Sequence, residues 1–214
     1  MLAWLALPCP AAPPDPLADG THAAVDAAAI VAGLKRAPPA RTAYAEVRFS
    51  ALLDRPLILH GALDYAGPGR LGRSVDRPYH ERTTVADGEA VVERDGRAPR
   101  RVSLAQAPEL DGFLRGFSAL LGGDAGALAR DFELAASGSG AAWRLTLTPR
   151  DARLARRVRA IEVDGAGSEP RCFRTRETDG DVDVLLVGTL AATPLPARPL
   201  PAQIEALCRG AAAR

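Results

Sequence analysis

The sequence predicts a mainly β domain with helices, built as a curved antiparallel sheet or incomplete β-barrel under a helical lid. Apolar and polar residues alternate with period two in many short segments between residues 42 and 190, the pattern of strands with two unlike faces. Asp-Gly pairs recur at 87–88, 95–96, 164–165 and 179–180 between strand-like segments, and Asp-Gly is a strong hairpin signal. One stretch, 108–121, carries an apolar stripe at helical spacing and offers the sheet a cover.

The elements follow in chain order. Met1–Ala12 is apolar and ends in small residues; it reads either as a degraded secretion signal without a basic start or as a Pro/Ala tail. Four prolines between residues 10 and 20 mark a linker. Thr21 can cap a helix that runs to Lys35, with Val25, Ala28, Ala29 and Ala32 on one face, and Pro38-Pro39 ends it.

From Thr42 the period changes. Ala43, Ala45, Val47 and Phe49 alternate with Tyr44, Glu46, Arg48 and Ser50, and Leu57, Leu59, Gly61, Leu63 and Tyr65 share the next strand's apolar side. Gly67-Pro68-Gly69 is a turn, with weaker strands at 70–75, 80–86, 89–94 and 97–104. In the helix 108–121 the stripe is Leu110, Phe113, Leu114, Phe117, Leu120 and Leu121, and Asp124 caps a short helix to about 131. Strands resume at 132–137, 141–149, 158–163, 171–178 and 181–190, and a last helix is expected over 201–213. Organisation is therefore a leader and linker over 1–20, one domain over 21–192, and a Pro-rich tail over 193–214.

Composition narrows the function. The chain is 47% apolar and 25% charged, with a net charge of +1, and Lys35 is its only lysine. Arginines are interleaved with acids, as in Arg70, Arg73, Asp76, Arg77, Glu81 and Arg82, so no one-signed field exists for nucleic acid. The cysteines at 9, 172 and 208 lack zinc-site spacing and only His22, His60 and His80 could join them, which argues against a metal. No residue set calls for a cofactor. If a leader containing Cys9 is cleaved, Cys172 and Cys208 remain as an even pair, either bonded or two separate buried thiols. No later run is apolar for long enough to span a membrane.

Chemical readings are weak. His60 shares a strand face with Asp64, but no serine or cysteine sits in a nucleophile elbow, and Gly138-Ser139-Gly140 is simply flexible. Glu46 and Arg48 share a face: they are either a head-group contact inside a cleft or an ion pair on the convex surface, worth at most about 1 kcal/mol.

A family pattern then emerges. Glu46-x-Arg48, Leu52-Leu53-Asp54-Arg55-Pro56-Leu57, Gly61-x-Leu63-x-Tyr65, Pro68-Gly69-Arg70-Leu71, Arg77-Pro78 and Asp87-Gly88 come in an order that resembles the LolA-type outer-membrane lipoprotein carriers, in a divergent branch. Phe117, Leu120-Leu121-Gly122-Gly123-Asp124, Leu128, Phe132, Trp143-Arg144-Leu145-x-Leu147-x-Pro149 and Glu177-x-Asp179-Gly180-Asp181 agree, so the resemblance covers about residues 25–190.

The resemblance implies a LolA/LolB-like half-barrel that shields acyl chains in the periplasm without doing chemistry. The implied partners are an acylated cargo, an inner-membrane donor and an outer-membrane acceptor, with the carrier a monomer. Strand parity assigns Val47, Phe49, Leu63, Tyr65, Trp143, Leu145 and Val184 to the cleft wall, and Phe113 and Phe117 to the lid. Two departures bear on cargo. Well-studied carriers hold a lid-contacting arginine just after this second strand, where this chain has Ala66-Gly67 and only later Arg70; aromatics are 5%. The cargo can therefore differ, and because the divergent branch resembles proteins encoded beside polyene-pigment and fatty-acyl assembly enzymes, the resemblance implies an acylated lipid or aryl-polyene product as a rival to lipoprotein. The alternative function is an accessory subunit or hydrolase for acyl or polyene-lipid intermediates.

Overall fold

The computed structural model describes residues 25–210; the leader, Cys9 and the cap expected at Thr21 lie outside them. Eleven strands form one curved, unclosed antiparallel sheet: β1 (Ala40–Phe49), β2 (Leu57–Gly67), β3 (Arg70–Arg77), β4 (Glu81–Ala86), β5 (Glu89–Arg94), β6 (Arg100–Ser103), β7 (Phe132–Ser139), β8 (Ala142–Pro149), β9 (Val158–Ala166), β10 (Glu169–Glu177) and β11 (Val182–Val187). Spatial order is β6-β5-β4-β3-β2-β1-β11-β10-β9-β8-β7. Two meanders thus meet where β1 lies against β11, and β6 and β7 are the sheet's two edges.

The hairpin signals acted as expected at three of the four Asp-Gly sites. Asp87 and Gly88 both have positive φ, 51° and 77°, the twist that a two-residue β4–β5 loop requires. Asp164-Gly165 instead sits inside β9, which runs on to Ala166. Its glycine serves packing: a Cβ at Gly165 would fall 2.3 Å from the Trp143 indole, which lies across it.

Helices α1 (Ala27–Gly33), α2 (Pro108–Gly122) and α3 (Ala125–Asp131) cover the concave face. Asp26 caps α1, its carboxylate accepting from the Ala29 N–H at 2.9 Å. The buried residues there are Ile30, Val31 and Leu34, whereas Ala28, Ala29 and Ala32 are exposed; the larger side chains, and not the alanines, choose the face because they remove more apolar area from water. Asp124 caps α3 as its sequence predicts, accepting from the Ala127 N–H at 2.8 Å. A short helix α4 (Ala152–Ala155), capped by Asp151, was not evident from the sequence.

Direct pairing fixes which side chains share a face. Tyr44, Glu46 and Arg48 of β1 stand opposite Gly61, Leu59 and Leu57 of β2 and opposite Val187, Leu185 and Asp183 of β11, all on the concave face. Val47 stands opposite Ile58 and Val184 on the convex face. There α5 (Pro201–Arg209) packs, giving a second core of Val47, Cys172, Val184, Leu186, Ile204 and Cys208. Cys172 and Cys208 are disulfide-bonded, tying α5 to β10.

Candidate lipid-binding cleft

The inner wall is apolar on the β7–β10 side, where Trp143, Leu145, Leu147, Val163 and Phe173 meet α1, α2 and α3. On the β2–β5 side it is apolar at one end only. A row across the strands there reads Ala40, Tyr65, Leu71, Val85, Ala90 and Val102, residues paired directly from strand to strand. Leu110, Leu114, Phe117 and Leu121 of α2 pack on this row. The lid stripe expected from the sequence is therefore in contact with the wall.

Two spaces remain between lid and wall. A cavity of about 720 Å³ has Tyr65, Leu71, Val85 and Leu104 as floor, Leu114 and Ser118 of α2 on one side, and Arg115 and Arg130 at its rim. A second, of about 50 Å³, lies among Thr42, Leu63, Tyr65, Phe117, Leu121 and Phe173. Tyr65 borders both. Phe117 closes the gap edge-on against Phe173, ring centroids 5.6 Å apart.

Of the wall residues expected from the sequence, Leu63, Tyr65, Trp143 and Leu145 point inward, and Phe113 and Phe117 lie half-buried on α2 against them. Only Tyr65 borders the larger cavity; the Trp143 Nε1–H donates to the Gly167 carbonyl at 2.9 Å, fixing that ring in the core. Val47, Phe49 and Val184 do not belong to the wall. They face outward, and parity misled because the convex side of β1 and β11 is also apolar, to receive α5. Leu71, Val85, Leu104 and Ser118 went unnoticed; Leu71 and Val85 occupy alternating strand positions that the weak β3 and β4 patterns obscured.

The convex-surface reading of Glu46 and Arg48 fails as well. Glu46 is 2% exposed on the inner face, accepting from Arg48 Nε at 2.6 Å and from Arg73 Nη2 at 2.5 Å. Arg73 reaches β1 across Gly61, where a Cβ would lie 1.8 Å from the Ser74 carbonyl oxygen. The Tyr44 hydroxyl donates to that same oxygen at 3.0 Å, and burial pushes its pKa up to about 12. Arg48 also approaches Asp183, whose carboxyl burial pushes up to about 6 despite the nearby guanidinium.

His60 is on the convex face. Burial, then the neighbouring Arg77, lowers its pKa, and Asp64 is occupied by two hydrogen bonds from Arg41 Nη1 at 2.7 and 2.8 Å. Also on that face, Arg144 holds Asp164 through two hydrogen bonds at 2.8 and 2.9 Å and donates to Glu205 of α5 at 2.7 Å.

A half-barrel with an amphipathic helix lying in its apolar hollow admits several families, and the sequence decides among them. Residues 19–211 match the profile described as outer membrane lipoprotein carrier protein LolA-like. The chain belongs to this family. Among solved structures, a LolA superfamily protein from Nitrosomonas europaea is 14% identical, with a TM-score of 0.42 over 80% of this chain and 96% of that one. A chain in the Pseudomonas aeruginosa MucA/MucB complex is 15% identical, with a TM-score of 0.36 over 84% of this chain and 60% of that one. A comparison with curated proteins finds no match.

In this LolA-like protein a polar tie joins hairpin and lid: the Gly69 N–H donates to Ser118 Oγ of α2 at 3.0 Å. Among the described residues no helix is long and apolar enough to cross a membrane.

Proposed function

We propose that this LolA-like protein carries an acylated cargo, a lipoprotein or a lipid, through the periplasm from an inner-membrane donor to an outer-membrane acceptor. We take 21–192 as the carrier unit and 193–214 as a tail, whose helix α5 packs on the outer face. The observation that carries the reading is the 720 Å³ cavity between an apolar strand row and the flank of α2 at Leu114, Ser118 and Ala119, with Asp111, Arg115, Arg130 and Asp131 around it, a size within the range of ligand sites.

The physics requires no chemistry on the cargo. Each methylene removed from water contributes about 0.8 kcal/mol, so a chain laid along Tyr65, Leu71 and Val85 is held by burial alone. Lid and cargo compete for the same wall, and affinity is the difference between the two packings. That competition makes release possible at an acceptor. An acyl hydrolase is not favoured: His60 faces outward and Asp64 is committed to Arg41.

The test is direct. Delipidated protein should bind a fluorescent acyl probe saturably, with competition by unlabelled fatty acid, and lipids extracted from protein purified from its native host should include an acylated species. Absence of saturable binding in delipidated protein removes the carrier reading.

A further inference from the structure

Beyond its apolar end, the inner wall of β3–β5 turns polar. Arg73 follows Leu71 by one inward position on β3, and on β4 and β5 the residues aligned beyond Val85 and Ala90 are Thr83, Glu81, Val92 and Arg94. Two arginines therefore stand on the same concave surface as the apolar floor, Arg73 about 7 Å and Arg94 about 13 Å beyond it along the strands.

Their hydrogen bonding is incomplete. A guanidinium carries five N–H donors. Among the described residues, the Arg73 guanidinium spends one on Glu46 and lies over the Tyr44 ring at 5.2 Å, and the Arg94 guanidinium has no hydrogen bond, only its stacking on Tyr79 at 3.9 Å. Glu81 lies 3.9 Å from Arg73 and 3.8 Å from Arg94, close enough for attraction but beyond hydrogen-bond distance. The side chains are 26% and 34% exposed, so the remaining donors face accessible space. Glu46, buried and bonded to both Arg48 and Arg73, holds the Arg73 guanidinium in place.

We propose that Arg73 and Arg94 form a head-group site for an anionic amphiphile, one bearing a carboxylate or phosphate, whose chain lies on Leu71 and Val85. The idea rests on the carrier reading and adds the head-group charge. An apolar hollow alone recognises only the chain. Paired guanidinium donors beside it add charge-assisted hydrogen bonds to an oxyanion, and these set which amphiphile is held. The anion replaces Glu81 as partner, at a place where Glu81 makes no hydrogen bond.

The test compares probes of equal chain length on delipidated protein: palmitate, palmitoyl lysophosphatidate and neutral monopalmitoylglycerol, each displacing a fluorescent acyl probe at low and high salt. Palmitate, lysophosphatidate or both should bind at least about tenfold tighter than the neutral lipid, with the advantage shrinking in high salt. If only one gains, that one names the head group. The advantage should collapse in Arg73→Gln and in Arg94→Gln; the latter, on the more exposed side chain, keeps the test valid if the former misfolds. Equal affinity for charged and neutral probes, or an advantage that survives both substitutions, overturns the head-group site while leaving the carrier reading intact. Failure of all three probes to bind overturns both.

Discussion

The Gly69 N–H reaches the Ser118 hydroxyl at 3.0 Å, so the β2–β3 hairpin holds the lid helix by a side chain that the lid itself supplies. Ser118 is 8% exposed and lines the larger cavity. A hydrogen bond of this kind contributes about 0.5–1.5 kcal/mol net. Ser118→Ala should weaken the closed arrangement by that amount. Because lid and cargo compete, acyl-probe affinity should rise by about 2- to 10-fold, with faster association in stopped-flow fluorescence. A variant that binds more weakly would mean that Ser118 holds cargo and not the lid.

How much of this could be read in advance depended on one-sided against two-sided burial. The meanders and the α2 stripe were legible because periods of two and of 3.6 residues are local properties. Leu63 and Tyr65 were placed correctly because the opposite side of β2, with His60 and Asp64, is polar. Val47 and Val184 were not. Their strands do carry a polar side, with Glu46, Arg48 and Asp183, but that side faces the hollow, and the apolar side is covered by α5, which begins 14 residues after β11 ends, beyond a Pro-rich segment. The sequence leaves the face of Glu46 and Arg48 open because a charged pair inside a hollow is rare, and only Arg73, brought in from β3, makes it tenable.

The face assignment predicts a separation of effects. Val47 is fully buried outside the cleft, so Val47→Ala should cost about 2 kcal/mol of stability in urea unfolding and leave probe affinity unchanged. Phe117→Asp places a carboxylate against Phe173 and the wall, and should weaken probe binding more than about tenfold. Loss of binding in Val47→Ala at a temperature where it is folded would contradict the inward and outward division.

The Cys172–Cys208 bond closes a loop across 36 residues and fastens α5 over the outer core. Chain entropy for a loop of that length amounts to about 4 kcal/mol in the unfolded state. The double replacement by alanine should lower unfolding free energy by about 2–4 kcal/mol and increase hydrogen exchange in α5 first. Glu205 remains tied to Arg144 and Arg174, so the helix should stay docked at room temperature. Its complete release in the variant would show the ion pairs to be weaker than their burial suggests.

Asp183 gives the protein a stability term of unusual sign. Burial is the main reason that its carboxyl rises from an ordinary 3.8 to about 6; Arg48 opposes the rise, while Glu46, Glu177 and Asp181 add to it. A carboxyl with a raised folded pKa binds its proton more tightly folded than unfolded. Its contribution is therefore fully present below the unfolded value and is lost as pH climbs through the window from 3.8 to about 6. Glu162 acts oppositely: burial works to raise it, but hydrogen bonds from Arg176 and Arg174 overcome that and hold it below the usual carboxylate range, so its contribution is lost on acidification. The informative quantity is thus a difference. Asp183→Asn should be more stable than wild type at neutral pH by about 1–3 kcal/mol, with the gap narrowing to little or nothing below pH ~4. Arg48 keeps Glu46 as its partner in the variant, which limits the loss from removing the aspartate. Urea unfolding of both proteins across that range checks the claim, and a gap that widens on acidification would mean that Asp183 is ionised and held by Arg48 in the folded state.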